Sequence, residues 1–342
     1  MPDSDDHDAN DEISSDVDSE NMIEYLDGFW KQCQEALKLG SDISIEGPVT
    51  GVVACGMGGS ALPGEIVKGY IDVDIPVDVI RDYSVPKWVN HGTLVFVVSY
   101  SGNTEEALAC LKSARSKGAK VVCISSGGKL RELCESSRSP IVLVPKGLQP
   151  RASTGYQTLP ILNILSNSGV IPDQTSEMDD VVKALKKDMK ESAKDIVGRI
   201  KDKIPLIYSS DRMIAVARLW KAAVNENSKH PAFFNVFPEM NHNDMIGFKQ
   251  AKNSRYYFIF IEDAEDHMRI KKRMKITKEI LQNIGLPVLI IKLTGPNRLA
   301  RMFSSILMGM YAGYYLALEY GIDPSPVDLV EDLKKQMGPY IS

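Results

Sequence analysis

Short runs of apolar and β-branched residues alternate with segments of helical periodicity along this chain, and the alternation occurs twice. Strands of about five residues that alternate with helices indicate parallel βαβ units, in which helices cover both faces of a sheet. We interpret as strands the segments 50–55, 77–80, 94–98, 121–124, 141–144, 206–208, 256–261 and 288–293, and as helices 22–39, 61–70, 104–117, 213–226, 264–284 and 299–320. The sequence therefore predicts a protein of the α/β class with two tandem αβα domains, each built on a mainly parallel sheet.

The length of 342 residues fits two domains of moderate size better than a single core. We place an acidic tail at 1–20, the N-terminal domain at 21–170, a helical linker at 171–203, and a C-terminal domain that ends in a helix at 204–342. The linker assignment depends on a polar stretch from Gln174 to Lys203 that is rich in Lys and Asp.

Charge is distributed unevenly along the chain. Residues 1–20 contain nine of the 45 Asp and Glu residues and no Lys or Arg, so 36 acids face 40 Lys and Arg residues in the remainder. An acidic segment with little apolar material repels itself and cannot form a core, so we predict that 1–20 is disordered. This tail is either a dispensable, solvated extension or a functional acidic segment. The slightly basic remainder has no stripe of the kind that binds nucleic acid, so we expect no nucleic-acid partner.

Cysteine usage and hydropathy indicate an intracellular protein. The five cysteines form no CxxC pair, and Cys55, Cys110 and Cys123 lie within apolar runs, which predicts buried, reduced thiols. The acidic N-terminus does not resemble a signal peptide. No uninterrupted apolar run approaches the roughly 18 residues of a membrane span. We therefore expect a cytoplasmic protein with no membrane partner.

The first predicted strand ends in a glycine-rich turn, Gly56–Ser60. Glycine lets the backbone approach a ligand closely and adopt positive φ, and the N–H groups of the following helix favour an anion. Gly58, Gly59 and Ser60 are therefore candidate phosphate ligands. The same turn also fits a dinucleotide-binding fold or a plain tight connection.

The third predicted strand ends in Ser99–Thr104, where three hydroxyl residues surround one glycine. Hydroxyl and backbone N–H donors in such a turn converge on phosphate oxygens. A cluster of helix caps is the alternative, although one cap requires only one hydroxyl. Ligands of open α/β sheets bind outside the carboxyl ends of the strands, where both turns are expected. Together the two turns predict a phosphate site that includes Ser99, Ser101 and Thr104.

This pair of turns resembles the sugar isomerase (SIS) domain family, in which SxSGxT is the phosphate-binding loop. The resemblance implies a flavodoxin-like parallel sheet and phosphate ligation by Ser60, Ser99, Ser101 and Thr104. It does not fix an activity, because the family contains isomerases, synthase domains and regulators that only bind.

Three further residues are candidates for chemistry. Arg151 precedes an apolar helix, where a guanidinium can stabilise developing negative charge, although it also fits a surface ion pair. Glu226 follows an apolar stretch and is either a general base or a helix-terminal surface residue. His242 lies in a polar turn and suits general acid–base work, whereas most lone histidines are surface or capping groups. No His or Cys lies at metal-ligand spacing beside His242, so we expect no metal and no cofactor.

The segments 150–153, 225–244 and 321–335 resemble the bifunctional phosphoglucose/phosphomannose isomerases of archaea and some bacteria, and the similarity extends from about residue 22 to the C-terminus. The resemblance implies that Glu226 moves a proton between C1 and C2, that Arg151 stabilises the enediolate, and that His242 assists ring opening in the neighbouring subunit of a homodimer. It also implies a C-terminal lysine for ring opening, for which Lys334 is the best match beside Lys335. A hydroxyl residue in the late segment is associated with acceptance of mannose 6-phosphate, and Ser325 occupies that position where Thr is expected.

We therefore predict an isomerase that converts glucose 6-phosphate and also mannose 6-phosphate to fructose 6-phosphate and back. The reaction is expected to pass through a cis-enediol(ate) and to need no metal and no redox cofactor. A regulator that binds a sugar phosphate without turning it over would not need Arg151, Glu226 and His242 together. A nicotinamide-dependent oxidoreductase would use Gly56–Ser60 for the dinucleotide and Asp78 or Asp82 for the ribose, but it leaves the serine-rich turn without a role.

Overall fold

A computed structural model of the protein describes residues 17–252 and 254–338. The chain divides into two compact units. The N-terminal unit comprises Phe29–Lys183 together with the last described residues from Met337. The C-terminal unit comprises Ala184–Gln336 together with the described residues from 17 to 28.

The N-terminal unit is built on five parallel strands in the order β2-β1-β3-β4-β5. These strands are β1 Gly51–Cys55, β2 Val77–Ile80, β3 Thr93–Val98, β4 Lys120–Ser125 and β5 Ile141–Leu143. All residues of β1 and β3 are buried because helices cover both faces of the sheet, which is why these strands are continuously apolar. The strand order is that of the flavodoxin-like doubly wound fold, and it confirms the predicted fold class for this unit.

Helices connect and cover these strands. Counted from the N-terminus of the chain, the helices up to the end of this unit are α1 Met22–Asp27, α2 Phe29–Ala36, α3 Leu62–Tyr70, α4 Glu105–Ser116, α5 Gly128–Ser137, α6 Thr154–Asn167 and α7 Thr175–Leu185. Within the N-terminal unit, one core cluster joins Val53, Val95 and Val97 of the sheet to Leu111 of α4 and Leu130 of α5.

The C-terminal unit contains a second parallel sheet, with the strand order β7-β6-β8-β9. Its strands are β6 Ile204–Ser210, β7 Phe233–Phe237, β8 Tyr256–Glu262 and β9 Val288–Lys292. Its helices are α1 and, further along the chain, α8 Lys190–Ile200, α9 Ile214–Asn227, α10 Asp244–Gly247, α11 Met268–Asn283, α12 Arg298–Glu319 and α13 Asp328–Met337. The connections repeat the crossover of the first sheet with one strand fewer, so the prediction of two tandem parallel-sheet domains is confirmed.

The units are divided differently from the predicted domains. The single helix expected over 22–39 is interrupted at Gly28, whose N–H donates to the carbonyl of Glu24 over 2.8 Å and closes α1. Of the two resulting helices, α1 belongs to the C-terminal unit and α2 to the N-terminal unit. The polar linker expected over 171–203 is likewise shared between the units. Its second half, α8, is amphipathic and packs an apolar face against α12.

The predicted disordered tail covers residues 1–20. Residues 1–16 lie outside the described residues, and residues 17–20 lie within them. Its last residues do not behave as a free extension. Asp18 is buried, and its carboxylate accepts hydrogen bonds from the N–H groups of Met22 at 2.7 Å and Ile23 at 3.0 Å. Met22 and Ile23 begin α1, and the first N–H groups of a helix have no acceptor within the helix. The Asp18 carboxylate supplies that acceptor and so caps α1.

All five cysteines, Cys33, Cys55, Cys110, Cys123 and Cys134, are buried and free, which confirms the predicted buried thiols. Within the described part of the chain, every helix is too short or too polar to cross a membrane.

Candidate active site

The glycine-rich turn after β1 is shaped by close backbone contacts. A Cβ atom at Gly56 would lie 2.3 Å from the carbonyl oxygen of Ser60, so only glycine fits there, and Gly58 has a φ of 50°. A hydrogen bond with Cys110, together with burial, raises the pKa of the Cys55 thiol at the end of β1. Cys55 therefore stays neutral beside the turn and adds no negative charge where an anion would bind.

The serine-rich turn after β3 has a fixed part and an open part. Ser99 is buried, donates to Thr104 Oγ1 over 2.9 Å and accepts from the N–H of Gly102 over 3.1 Å. Ser101 is exposed. Thr104 precedes α4, but its side chain does not cap the helix. The turn is therefore not a simple cluster of helix caps, because the Thr104 side chain leaves the first N–H groups of α4 uncapped.

The two turns meet at one edge of the sheet. Strands β1 and β3 are parallel neighbours, so their carboxyl ends are adjacent, and the Ser60 hydroxyl oxygen accepts the N–H of Tyr100 over 3.1 Å. This edge is the topological switch point of the sheet, where the strand order reverses and ligands of such folds bind. The structure thus brings together the predicted phosphate ligands Gly58, Gly59, Ser60, Ser99, Ser101 and Thr104.

A third turn, Ser125–Gly128, supports the second one and was missed by the sequence analysis. The Ser126 hydroxyl donates to the carbonyl of Tyr100 over 2.7 Å. A Cβ atom at Gly102 would lie 1.8 Å from the carbonyl oxygen of Gly127, so the two turns touch through their backbones. The sequence signal was the Ser-Ser-Gly-Gly run at the end of β4.

Arg151 lies beside the glycine-rich turn. It is half-buried in the short 3₁₀ turn Pro150–Ala152 that precedes α6. A Cβ atom at Gly59 would lie 2.8 Å from the backbone nitrogen of Arg151, so the absence of a side chain at Gly59 allows this approach. The backbone of Arg151 therefore lies directly against the glycine-rich turn of the N-terminal unit.

Glu226 and Ser325 belong to the C-terminal unit, where Glu226 is half-buried in the last turn of α9. Lys229, which follows this helix with a φ of 54°, donates through Nζ to the carbonyls of Glu226 at 2.7 Å and Pro324 at 3.2 Å. Ser325 is buried directly after Pro324. The structure therefore places the predicted base and the predicted specificity residue around one lysine.

His242 is exposed and follows the short turn Glu239–Asn241 after β7. The nearby Asp244 anchors this segment, because its carboxylate accepts from Tyr208 OH and from Asn235 Nδ2, each over 2.9 Å. Since β7 ends at Phe237, His242 lies at the carboxyl edge of the second sheet. Glu226 lies at the amino edge, because α9 leads from the end of β6 back to the start of β7.

Lys334 and Lys335 lie on α13, a helix without a buried residue. Each pairs within this helix, Lys334 with Glu331 at 2.7 Å and Lys335 with Asp332 at 3.4 Å. Both ammonium groups are exposed. The partners of both lysines are therefore carboxylates of α13 itself, and not Glu226 or Ser325.

The switch point of the second sheet is occupied by charges of the protein itself. Arg301 is buried and binds the carboxylate of Asp263 over 2.5 Å and that of Glu265 over 2.6 Å. The hydrogen bond from Arg301 lowers the pKa of Glu265, which keeps this carboxylate ionised. An anion at this edge would meet two carboxylates and a guanidinium that is already paired, so this edge is less suited to a phosphate group than the corresponding edge of the first sheet.

Within residues 17–252 and 254–338, no group of three or more His, Cys, Asp or Glu side chains is arranged to hold a metal ion.

Known proteins similar to this chain are sugar-phosphate enzymes. Residues 189–337 match the family described as bacterial phospho-glucose isomerase C-terminal SIS domain. A bifunctional phosphoglucose/phosphomannose isomerase from Caldicellulosiruptor bescii is 38% identical over 335 residues, covering 92% of this chain and 98% of the relative. The enzyme of the same name from Aquifex aeolicus is 35% identical, covering 93% and 98%. Among solved structures, the C-terminal domain of glucosamine-fructose-6-phosphate aminotransferase from Francisella tularensis superposes with a TM-score of 0.69 at 15% identity, covering 89% of this chain and 96% of that domain. This last similarity shows the fold alone.

Proposed function

Since the chain belongs to the bifunctional phosphoglucose/phosphomannose isomerase family, we propose that it is an enzyme that interconverts glucose 6-phosphate and mannose 6-phosphate with fructose 6-phosphate. The observation that carries the proposal is the joining of the two phosphate turns and Arg151 at one edge of the first sheet in a chain that matches such isomerases over nearly its whole length. We place this reaction in the cytoplasm, within glycolysis and gluconeogenesis.

The proposed role of the N-terminal unit is to hold the phosphate group. Ser60, Ser99, Ser101 and Thr104 supply hydroxyl groups, and Gly58 and Gly59 allow the backbone to approach. Ser101 is the exposed member of the set, whereas Ser99 is buried and orders the turn. The helix dipole of α4 adds favourable potential for a dianion, although Glu105 and Glu106 in its first turn oppose it.

The proposed role of Glu226 is that of a general base. Its carboxylate removes the proton from C2 of the open-chain aldose while O1 gains a proton, which gives the cis-enediol. The carboxyl group then returns the proton to C1 while the O2 hydroxyl loses its proton and the C2 carbonyl of the ketose forms, so that overall one proton moves from C2 to C1 and one from O2 to O1. Arg151 stabilises the negative charge that develops on the oxygens in the enediolate. The intermediate has no stereocentre at C2, so a single base serves both the glucose and the mannose epimers.

Ring opening requires an acid and a base near the ring oxygen and O1. We assign this step to His242 and Lys334. The position of His242 at the sheet edge opposite Glu226 supports a homodimer in which His242 of one subunit completes the site of its neighbour. Ser325, buried beside the Lys229 contact, is proposed to influence acceptance of the mannose epimer.

The reaction transfers a proton within one carbon skeleton, so the proposal includes no metal and no redox cofactor. The test is a coupled assay that starts from fructose 6-phosphate and measures glucose 6-phosphate and mannose 6-phosphate separately, with and without EDTA. We expect both products and an EDTA-insensitive rate. Binding of the sugar phosphates without turnover would contradict the proposal and favour a regulator. Loss of all activity in EDTA would contradict the metal-free mechanism.

A further inference from the structure

A buried amide on α2 holds the turn that carries Arg151. Gln32 is 6% exposed and lies in the N-terminal unit with Arg151. Its Nε2 donates to the carbonyl of Ala152 over 2.8 Å, and its Oε1 accepts from the N–H groups of Gly155 at 2.8 Å and Tyr156 at 3.3 Å. One side chain thus holds the last residue of the turn and the first turn of α6 at once.

All three carbonyls of the turn Pro150–Ala152 accept a hydrogen bond from a side chain. The Pro150 carbonyl accepts from Ser153 Oγ at 2.8 Å, and the Arg151 carbonyl accepts from Thr154 Oγ1 at 3.3 Å. These two donors follow the turn directly in the chain. Gln32 is the donor to the third carbonyl and is separated from it by 120 residues, so it connects the turn to another helix.

Two glycines complete the arrangement. A Cβ atom at Gly155 would lie 2.8 Å from both Gln32 Oε1 and Cys33 Sγ, so the missing side chain allows α2 to approach α6. On another side, Gly59 contacts the backbone of Arg151. The turn is thereby held between α2 and the glycine-rich phosphate turn, and a change at Gln32 removes one of these supports.

We infer that Gln32 is a positioning residue for Arg151, which fixes the backbone of the turn so that the guanidinium is preorganised for the enediolate. This inference rests on the proposed function. A catalytic group displaced by about 1 Å loses up to ~10²-fold in rate, so such a support is expected to act on turnover.

The direct test is Gln32→Met, which has a similar volume but lacks all three hydrogen bonds. We expect kcat for fructose 6-phosphate to fall by about 10- to 100-fold. KM should change little, because the contacts of Ser99, Ser101 and Thr104 are retained. Gln32→Glu keeps the two accepted bonds but turns a carboxyl oxygen toward the Ala152 carbonyl, so as a buried carboxylate it should also lower kcat, and part of this loss relative to wild type should be recovered at low pH, where the protonated acid restores the donor. This second variant carries the test if the methionine variant does not fold.

Asn163→Leu is the matched control. Asn163 also ties α6 to the segment directly after α2, since its Nδ2 donates to the carbonyls of Leu37 at 2.9 Å and Leu39 at 2.8 Å, and neither bond involves the Arg151 turn. We expect it to lower the melting temperature while leaving kcat unchanged at a temperature where all variants are folded. An equal loss of kcat in this variant would show that Gln32 acts only on stability and would overturn the inference.

A double-mutant cycle with Arg151→Ala separates the remaining explanations. If Gln32 acts through Arg151, adding Gln32→Met to Arg151→Ala should not reduce kcat further, and an undiminished loss would overturn the inference. An inactive wild-type enzyme would contradict the proposed function itself. An active wild type with an unaffected Gln32→Met variant would contradict the role of Gln32 alone.

Discussion

Glu226 and His242 lie at opposite edges of the same parallel sheet, separated by the length of β7. A strand of five residues spans about 16 Å. This distance is too long for two side chains that must act on the same end of one hexose phosphate. Two residues proposed for consecutive steps of one reaction therefore do not share a site within the C-terminal unit. The proposed dimer, in which each subunit would supply His242 to its neighbour, would resolve this separation.

Subunit mixing tests this exchange. Glu226→Gln and His242→Ala should each be nearly inactive alone. After the two are mixed, dissociated and reassociated, random pairing should restore roughly a quarter of the wild-type activity, because half of the dimers then contain one intact site of two. A mixture as inactive as its components would show that His242 serves its own subunit, and an active His242→Ala variant would show that this residue has no role in catalysis.

Replacement of the proposed base should remove turnover but retain binding. We expect Glu226→Gln to lower kcat by about 10²-fold or more, the low end of general-base effects, while fructose 6-phosphate still protects the protein against thermal unfolding. Glu279→Gln, an exposed change on α11 in the same unit, is the control and should be neutral. An unchanged rate in Glu226→Gln would remove this residue from the mechanism.

Two serines of the same turn should respond differently to alanine. Ser101 is exposed, so Ser101→Ala should raise KM for fructose 6-phosphate and the inhibition constant of inorganic phosphate without lowering the melting temperature. Ser99 is buried with two hydrogen bonds, so Ser99→Ala should also destabilise the protein by about 1–3 kcal/mol through unsatisfied partners. Kinetics and thermal melts of both variants provide the check. Equal melting temperatures would contradict the buried role of Ser99.

The capping of α1 by Asp18 predicts a limit to what can be removed from the N-terminus. Asp18→Ala should lower the free energy of unfolding by about 1 kcal/mol, as expected when the side-chain acceptor of a helix N-terminus is lost. Urea denaturation measures the change, and Ser19→Ala, which alters an exposed neighbour, should have no effect. Identical unfolding curves for Asp18→Ala and the wild type would restore the idea that the whole segment 1–20 is dispensable.

The alternation of apolar runs and helices was sufficient to predict both sheets because parallel strands buried on two faces are continuously apolar. β7 was not identified, since its exposed Phe233 and central Asn235 weaken that pattern in an edge strand. Helix α5 was missed because it is mostly polar and buries only Leu130 and Cys134.

The assignment of α1 to the C-terminal unit could not be predicted, since an amphipathic stripe reveals an apolar face but not the surface that it packs against.

The residues of the candidate site could likewise be predicted only in part. Glycine and serine turns have recognisable spacing, so the sequence alone is enough to identify their residues. Gln32 belongs to no motif, and only its hydrogen bonds to a segment 120 residues away reveal its relation to Arg151. The roles assigned to Glu226, His242, Lys334 and Ser325 stay predictions until the variants are measured.

The ammonium group of Lys229 links two features that a sugar isomerase must adjust separately. It joins the end of the helix that bears the proposed base to the loop that bears the proposed epimer-sensing hydroxyl. Under these assignments, the segment that senses the epimer and the helix end that carries the base share one support. We therefore expect changes in the loop around Pro324 that favour one epimer to alter turnover as well.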